Sequence, residues 1–134
     1  MTERYFTPAE ANETLVTLRP LVEEMVAHRR ALRVAATRRA EIARLIAGNG
    51  GGVDTSDVAG LDEYATREAA EIARLVGHIQ GLGILVKDLD RGLVDFPARR
   101  GEEEVLLCWE LGEDEVAFWH GLEEGFAGRK PLPL

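Results

Sequence analysis

The chain has 134 residues, a formal net charge of −8 and a hydrophobic fraction of 46%. This length sets a single domain, residues 1–134, as the expectation, and the apolar content excludes wholesale disorder. No apolar run approaches the roughly 18 residues of a membrane span, and the N-terminus, with acidic Glu3 and no apolar stretch behind it, is not a secretory signal.

A lone cysteine, Cys108, cannot close an internal disulfide, which fits a reducing cytoplasm. The acidic balance argues against general binding to a phosphate backbone. Charge is also unevenly placed. Residues 1–60 hold eight acidic and eight basic side chains, and residues 61–134 hold sixteen and eight. The basic side chains of the first part concentrate in residues 28–44, where Arg29, Arg30, Arg33, Arg38, Arg39 and Arg44 face only Glu41. Such a segment is either a solvated helix face that meets acidic neighbours in the fold or a docking surface for an anionic partner.

Residues 7–47 predict a helix. Thr7-Pro8-Ala9-Glu10 is a start signal: Thr7 supplies the cap, Pro8 suits the first helical position, and Glu10 completes a capping box. Apolar Leu15, Leu18, Val22, Met25, Leu32 and Ala36 recur at helical spacing, interrupted at His28 and Arg29. Pro20 removes a backbone donor inside this pattern, so a kink or short break is expected near Arg19. Residues 48–60 read as a glycine-rich connector that begins with Gly48-Asn49-Gly50. It lacks the Lys-Ser/Thr pair of a phosphate loop.

Residues 61–82 predict the second helix. Leu61, Ala65, Glu68, Ile72, Leu75, Ile79 and Leu82 are spaced four and three apart, and only Glu68 breaks the apolar seam. That is a short coiled-coil pattern. Its partner is either the first helix, folded back as an antiparallel hairpin, or the same helix in a second copy.

From residue 84 the period changes. Two apolar runs flank Asp90-Arg91-Gly92, a tight turn, and Pro97 is expected to close the second strand. A charged loop at 99–104, a strand at 105–111, a turn at 112–115 and a last strand at 116–120 complete a four-stranded antiparallel meander over 84–120. Residues 121–134 are expected to be an irregular tail. The fold class is therefore α+β, a long helical hairpin covering a small antiparallel sheet.

The stretch Gly83-Ile-Leu-Val-Lys-Asp-Leu-Asp-Arg-Gly-Leu-Val-Asp-Phe-Pro97, followed by Leu107-Cys-Trp-Glu-Leu-Gly-Glu113 and Phe118-Trp-His-Gly121, resembles an uncharacterised bacterial family, domain of unknown function 2203. The resemblance spans nearly the whole chain. It implies no activity, and it directs attention to the sheet.

Three constellations carry chemistry in principle. Cys108, Glu110 and His120 sit near the facing ends of two strands, with Glu123 and Glu124 close behind. Cysteine, histidine and carboxylate together suit a divalent transition metal such as zinc, although the spacing matches no standard ligand motif. Asp88, Asp90 and Asp95 crowd the first hairpin beside Lys87. They are either partners in ion pairs, with Lys87 facing Asp95 across the strands, or a carboxylate site. Trp109 and Trp119 are core residues or, if one ring faces outward, an interface anchor.

No nucleophile elbow or other catalytic set is legible, so a non-enzymatic role is favoured, with no cofactor expected. The leading expectation is an interaction or scaffold protein that self-associates, as a homodimer, through its helices or docks a protein partner. The alternative is a metal- or small-ligand-binding protein that uses Cys108, Glu110, His120 and nearby carboxylates. A third is an anion- or nucleic-acid-docking module built on the helix segment from Arg29 through Arg33 to Arg44.

Overall fold

A computed structural model describes residues 4–49 and 55–134. Helix α1 spans Pro8–Asn49 and helix α2 spans Thr55–Gly81. Five strands follow: β1 at Leu85–Asp88, β2 at Leu93–Arg100, β3 at Glu103–Glu110, β4 at Phe118–Gly121 and β5 at Lys130–Pro131. All neighbours are antiparallel and the order is β1-β2-β3-β4-β5. The fold is thus α+β, with one strand more than expected from sequence.

The start of α1 follows its sequence signal. The Glu10 N–H donates to Thr7 Oγ1 at 3.1 Å and the Thr7 N–H donates to Glu10 Oε1 at 2.9 Å, a reciprocal capping box. Helical hydrogen bonding runs on through Pro20, so the break expected there does not occur. Pro20 is exposed, and its ring meets solvent rather than the core. Helix α2 begins at Thr55, six residues before the apolar seam. The glycine-rich connector is correspondingly shorter than residues 48–60: Gly48 and Asn49 belong to α1, and residues 50–54 lie outside the described residues.

The two helices run antiparallel, with His28 paired to Glu68 and Arg39 to Asp62. Glu68, the break in the seam, therefore has a polar partner opposite it. Along α1, the main core takes Ala11, Leu15, Leu18, Val22, Met25 and Val26. Beyond these, Ala35 and Ile42 are the buried positions, whereas Ala36 is exposed. Buried residues seven apart are the repeat of a paired two-helix coil.

The sheet lies against the base of this hairpin. Val94, Phe96, Ala98, Val105, Leu107 and Trp109 turn one face of β2 and β3 toward the helices, where Leu75 and Ile79 of α2 complete the core. Alternation puts Leu93, Asp95, Leu106 and Cys108 on the opposite face, yet they too are buried. The reason is the tail. Instead of remaining irregular, it turns through Phe126–Gly128 and returns as β5 on the edge of β4, and Arg129 stacks over Phe118 at 4.1 Å.

Several sequence expectations at the sheet need correction. Strand β2 continues past Pro97 to Arg100, so the loop expected at 99–104 shrinks to a turn at Gly101 and Glu102. Proline is tolerated there because β1 pairs only as far as Asp95. At Pro97 one side of β2 is an open edge, and the Pro97 carbonyl accepts a bond from the Phe6 N–H at 2.7 Å on that side. The missing N–H costs no ladder bond. Lys87 does not face Asp95. Leu85 does, and the register slips between Val86 and Asp88, leaving Lys87 unpaired in the ladder. The last strand begins at Phe118, because Val116 is held instead by Asn12 of α1, whose Oδ1 accepts from the Val116 N–H at 2.7 Å.

Candidate functional site

The outer face of the sheet gathers three chemically distinct side chains from three adjacent strands. Asp95 of β2 sits directly opposite Cys108 of β3, and His120 of β4 sits opposite Leu106, one step along the same face. One carboxylate oxygen, the thiol sulfur and one ring nitrogen all lie within 4.8 Å of one another. All three residues are buried, at 1% exposure for Asp95 and Cys108 and 2% for His120.

The imidazole is held from both sides. Its Nδ1 lies 2.8 Å from the Gly121 carbonyl and its Nε2 lies 3.2 Å from Asp95 Oδ1. A carbonyl only accepts, so the Nδ1 hydrogen belongs on that bond, and Nε2 points into the cluster. Burial, reinforced by the charge of Asp95, pushes the Cys108 thiol up to about 12. A thiol in that state is no nucleophile. The ring nitrogens of His120 lie against the Gly121 carbonyl and the Asp95 carboxylate, and no hydrogen bond joins the imidazole to the sulfur.

A roof closes over the cluster. The guanidinium groups of Arg91 and Arg129 both stack on Phe126, 4.1 and 4.5 Å from its ring centre. Arg129 donates to the Cys108 carbonyl at 3.3 Å and to both Glu113 carboxylate oxygens at 2.7 and 2.8 Å. Glu113 Oε1 also accepts the Glu110 N–H at 2.7 Å, which locks the β3–β4 turn to the tail. Between roof and sheet lies a pocket of ≈190 Å³ whose walls include Asp95, His120, Leu106, Leu122 and Phe126.

The other residues singled out from sequence disperse. Glu110 shares a face with Cys108 but pairs with Arg91 at 2.6 Å, so it leaves the ligand set and Asp95 takes its place. The three aspartates of the hairpin do not converge. Asp88 Oδ1 accepts the N–H groups of Asp90 and Arg91 and shapes the β1–β2 turn. Asp90 pairs with Arg29 at 3.1 Å and Arg33 at 3.2 Å, and these guanidinium groups, Arg29 foremost, hold its carboxyl below the usual range. Part of the basic segment thus meets an acidic neighbour inside the fold. Trp109 and Trp119 are both buried, and Trp109 donates from Nε1 to the Glu113 carbonyl at 3.1 Å; neither offers an outward ring. Asp95 was visible in the sequence as one of three acids. Strand register alone separates it from the other two.

A second feature lies at the far end of the hairpin, where Val34, Leu45, Ile46 and Tyr64 are exposed. Between α1 and α2 at this level runs a groove of ≈460 Å³ lined by Ala27, Ala31, Val34, Ala35, Leu61 and Tyr64 together with Arg30 and Arg38. Among the described residues, no helix is long and apolar enough to cross a membrane.

No curated protein and no solved structure matches this chain. A family model described as "Uncharacterized conserved protein (DUF2203)" matches residues 4–132, and the chain accordingly belongs to that family.

Proposed function

We propose that this is a non-enzymatic interaction protein that associates with a second copy of itself through the outer half of its helical hairpin. The observation that carries this is the uneven burial of the seam. Ile72, Leu75 and Ile79 are buried at its base, whereas Leu61 and Ala65 toward the tip are only half-buried and Val34 is 66% exposed. Two helices alone cannot cover apolar residues on this side. A further helix layer laid along the groove would do so.

Charge favours a second copy as the occupant. Residues 30–44 carry five arginines against one glutamate, and residues 56–71 carry five acids against one arginine. Two hairpins packed face to face about a twofold axis set the basic α1 of each against the acidic α2 of the other. Ala27, Ala31 and Ala35, four residues apart, leave room for close helix approach.

Light scattering of the untagged protein at tens of micromolar is the test. A mass near twice 14.7 kDa is expected. Val34→Glu and Leu61→Glu should each restore the monomer while leaving the circular dichroism unchanged, and added salt should weaken the dimer. A monomeric wild type at these concentrations overturns the reading.

A further inference from the structure

We infer that Asp95, Cys108 and His120 form a binding site for one divalent transition metal ion, zinc being the best match to the donor set. The site is separate from the helical surface proposed for self-association, and it stands on four observations.

First, the donors are the right ones. A carboxylate oxygen, a thiolate and an imidazole nitrogen are each common zinc ligands, and the sulfur selects against calcium and magnesium. Second, they are close. Around a tetrahedral ion with bonds of about 2.0–2.3 Å, ligand atoms lie roughly 3.3–3.8 Å apart. The three atoms here lie within 4.8 Å of one another, so a contraction of about 1 Å by side-chain rotation closes the shell. The ligands also come from paired positions on three hydrogen-bonded strands, a rigid platform.

Third, His120 is already oriented as metal-bound histidines are. A hydrogen bond from Nδ1 to the Gly121 carbonyl fixes the tautomer and aims the Nε2 lone pair at the cluster. Fourth, a carboxylate stands beside the free nitrogen, where an ion would be held by both. With its hydrogen on Nδ1, Nε2 is an acceptor, and it faces another acceptor, Asp95 Oδ1, at 3.2 Å in a fully buried setting. A metal ion between them would be bound by both atoms. The same ion would also engage the adjacent sulfur.

Three protein ligands leave a fourth position. The pocket beneath Phe126 adjoins Asp95 and His120 and is large enough for a water molecule or a small anion there. Glu124 and Lys87 line the same pocket.

The test is reconstitution of metal-free, untagged protein with cobalt(II), a spectroscopic substitute for zinc. One equivalent should bind and give a thiolate-to-cobalt charge-transfer band, and one equivalent of zinc should abolish that band. Cys108→Ala should remove the band, and Asp95→Asn and His120→Gln should each weaken zinc binding at least tenfold. Should a variant fail to fold, the wild type still decides. Its thermal midpoint should rise with equimolar zinc and not with magnesium. Stoichiometric cobalt without the sulfur band, or no binding at these concentrations, overturns the inference.

Discussion

Gly92 closes the β1–β2 turn with φ +67°, and a methyl group added there would meet Leu111 Cβ and Val22 Cγ1 at 2.9 Å and Val26 Cγ2 at 3.1 Å. Gly101, in the β2–β3 turn, has nearly the same backbone at φ +65°, yet a methyl there meets nothing within 4 Å. The two glycines therefore separate two costs that usually come together. The left-handed backbone costs alanine about 1–2 kcal/mol at either site, less about 0.4–1 kcal/mol gained by restricting the unfolded chain. Overpacking against α1 adds about 1–3 kcal/mol at Gly92 alone, since Val22 and Val26 belong to the core and cannot swing aside. Gly101→Ala should thus lose roughly 1 kcal/mol and Gly92→Ala about 2–4 kcal/mol. Urea titration followed by tryptophan fluorescence measures both, because Trp109 and Trp119 are buried in the same core. If the two variants lost equal stability within about 0.5 kcal/mol, the turn would not be wedged against the helix as described.

Asn12 bridges α1 to the loop before β4, accepting from the Val116 N–H and donating to the Val116 carbonyl at 3.3 Å. Asn12→Ala should cost about 1–3 kcal/mol, and Asn12→Asp, which keeps the acceptor for the Val116 N–H, should cost less in the same titration. Acid should destabilise the fold through Glu10, Asp90 and Glu124. Their carboxyls are held low by the Thr7 N–H, by Arg29 and by Lys130 respectively. A depressed carboxyl contributes stability above its unfolded value that is lost as pH falls through its folded one. The thermal midpoint should therefore drop below about pH 4.5, and Glu124→Gln should flatten part of that drop; an unchanged acid limb would argue against the Lys130 contact. Cys108, buried at 1% exposure, should react with a maleimide only on unfolding, so that prompt labelling of the native protein would show that the tail does not roof it.

Local signals in the sequence carried well where one element sufficed to express them. The Thr7–Glu10 box marks the start of α1, the four-and-three spacing marks α2, and Asp90-Arg91-Gly92 lies in the first turn of the sheet. What depended on other strands did not carry. Pro97 reads as a stop because its tolerance depends on where β1 ends. Glu110 reads as a ligand because parity puts it on the face of Cys108, while the competing pull of Arg91 comes from a different turn. The tail reads as irregular because β5 is two residues long and owes its form to β4. One clue to it was present: Val105-Leu-Leu-Cys-Trp109 is apolar without alternation, the mark of a strand covered on both sides, and the helices can cover only one.

The uneven burial along the hairpin also fixes where the molecule opens. At about 1.5 Å per residue the 42-residue α1 is some 60 Å long; the apolar core over the sheet reaches only to Val26, and the ion pairs of Asp90 reach to Arg33. Amide hydrogens of α1 should therefore exchange along a gradient, slowest around Leu18 and Val22 and fastest toward Leu45, without the sheet opening at all. Such an arm behaves as a separate cooperative unit joined to a firm base. Whatever settles on its outer half would be registered as slowed exchange at the tip, while Asp95, Cys108 and His120 remain undisturbed below.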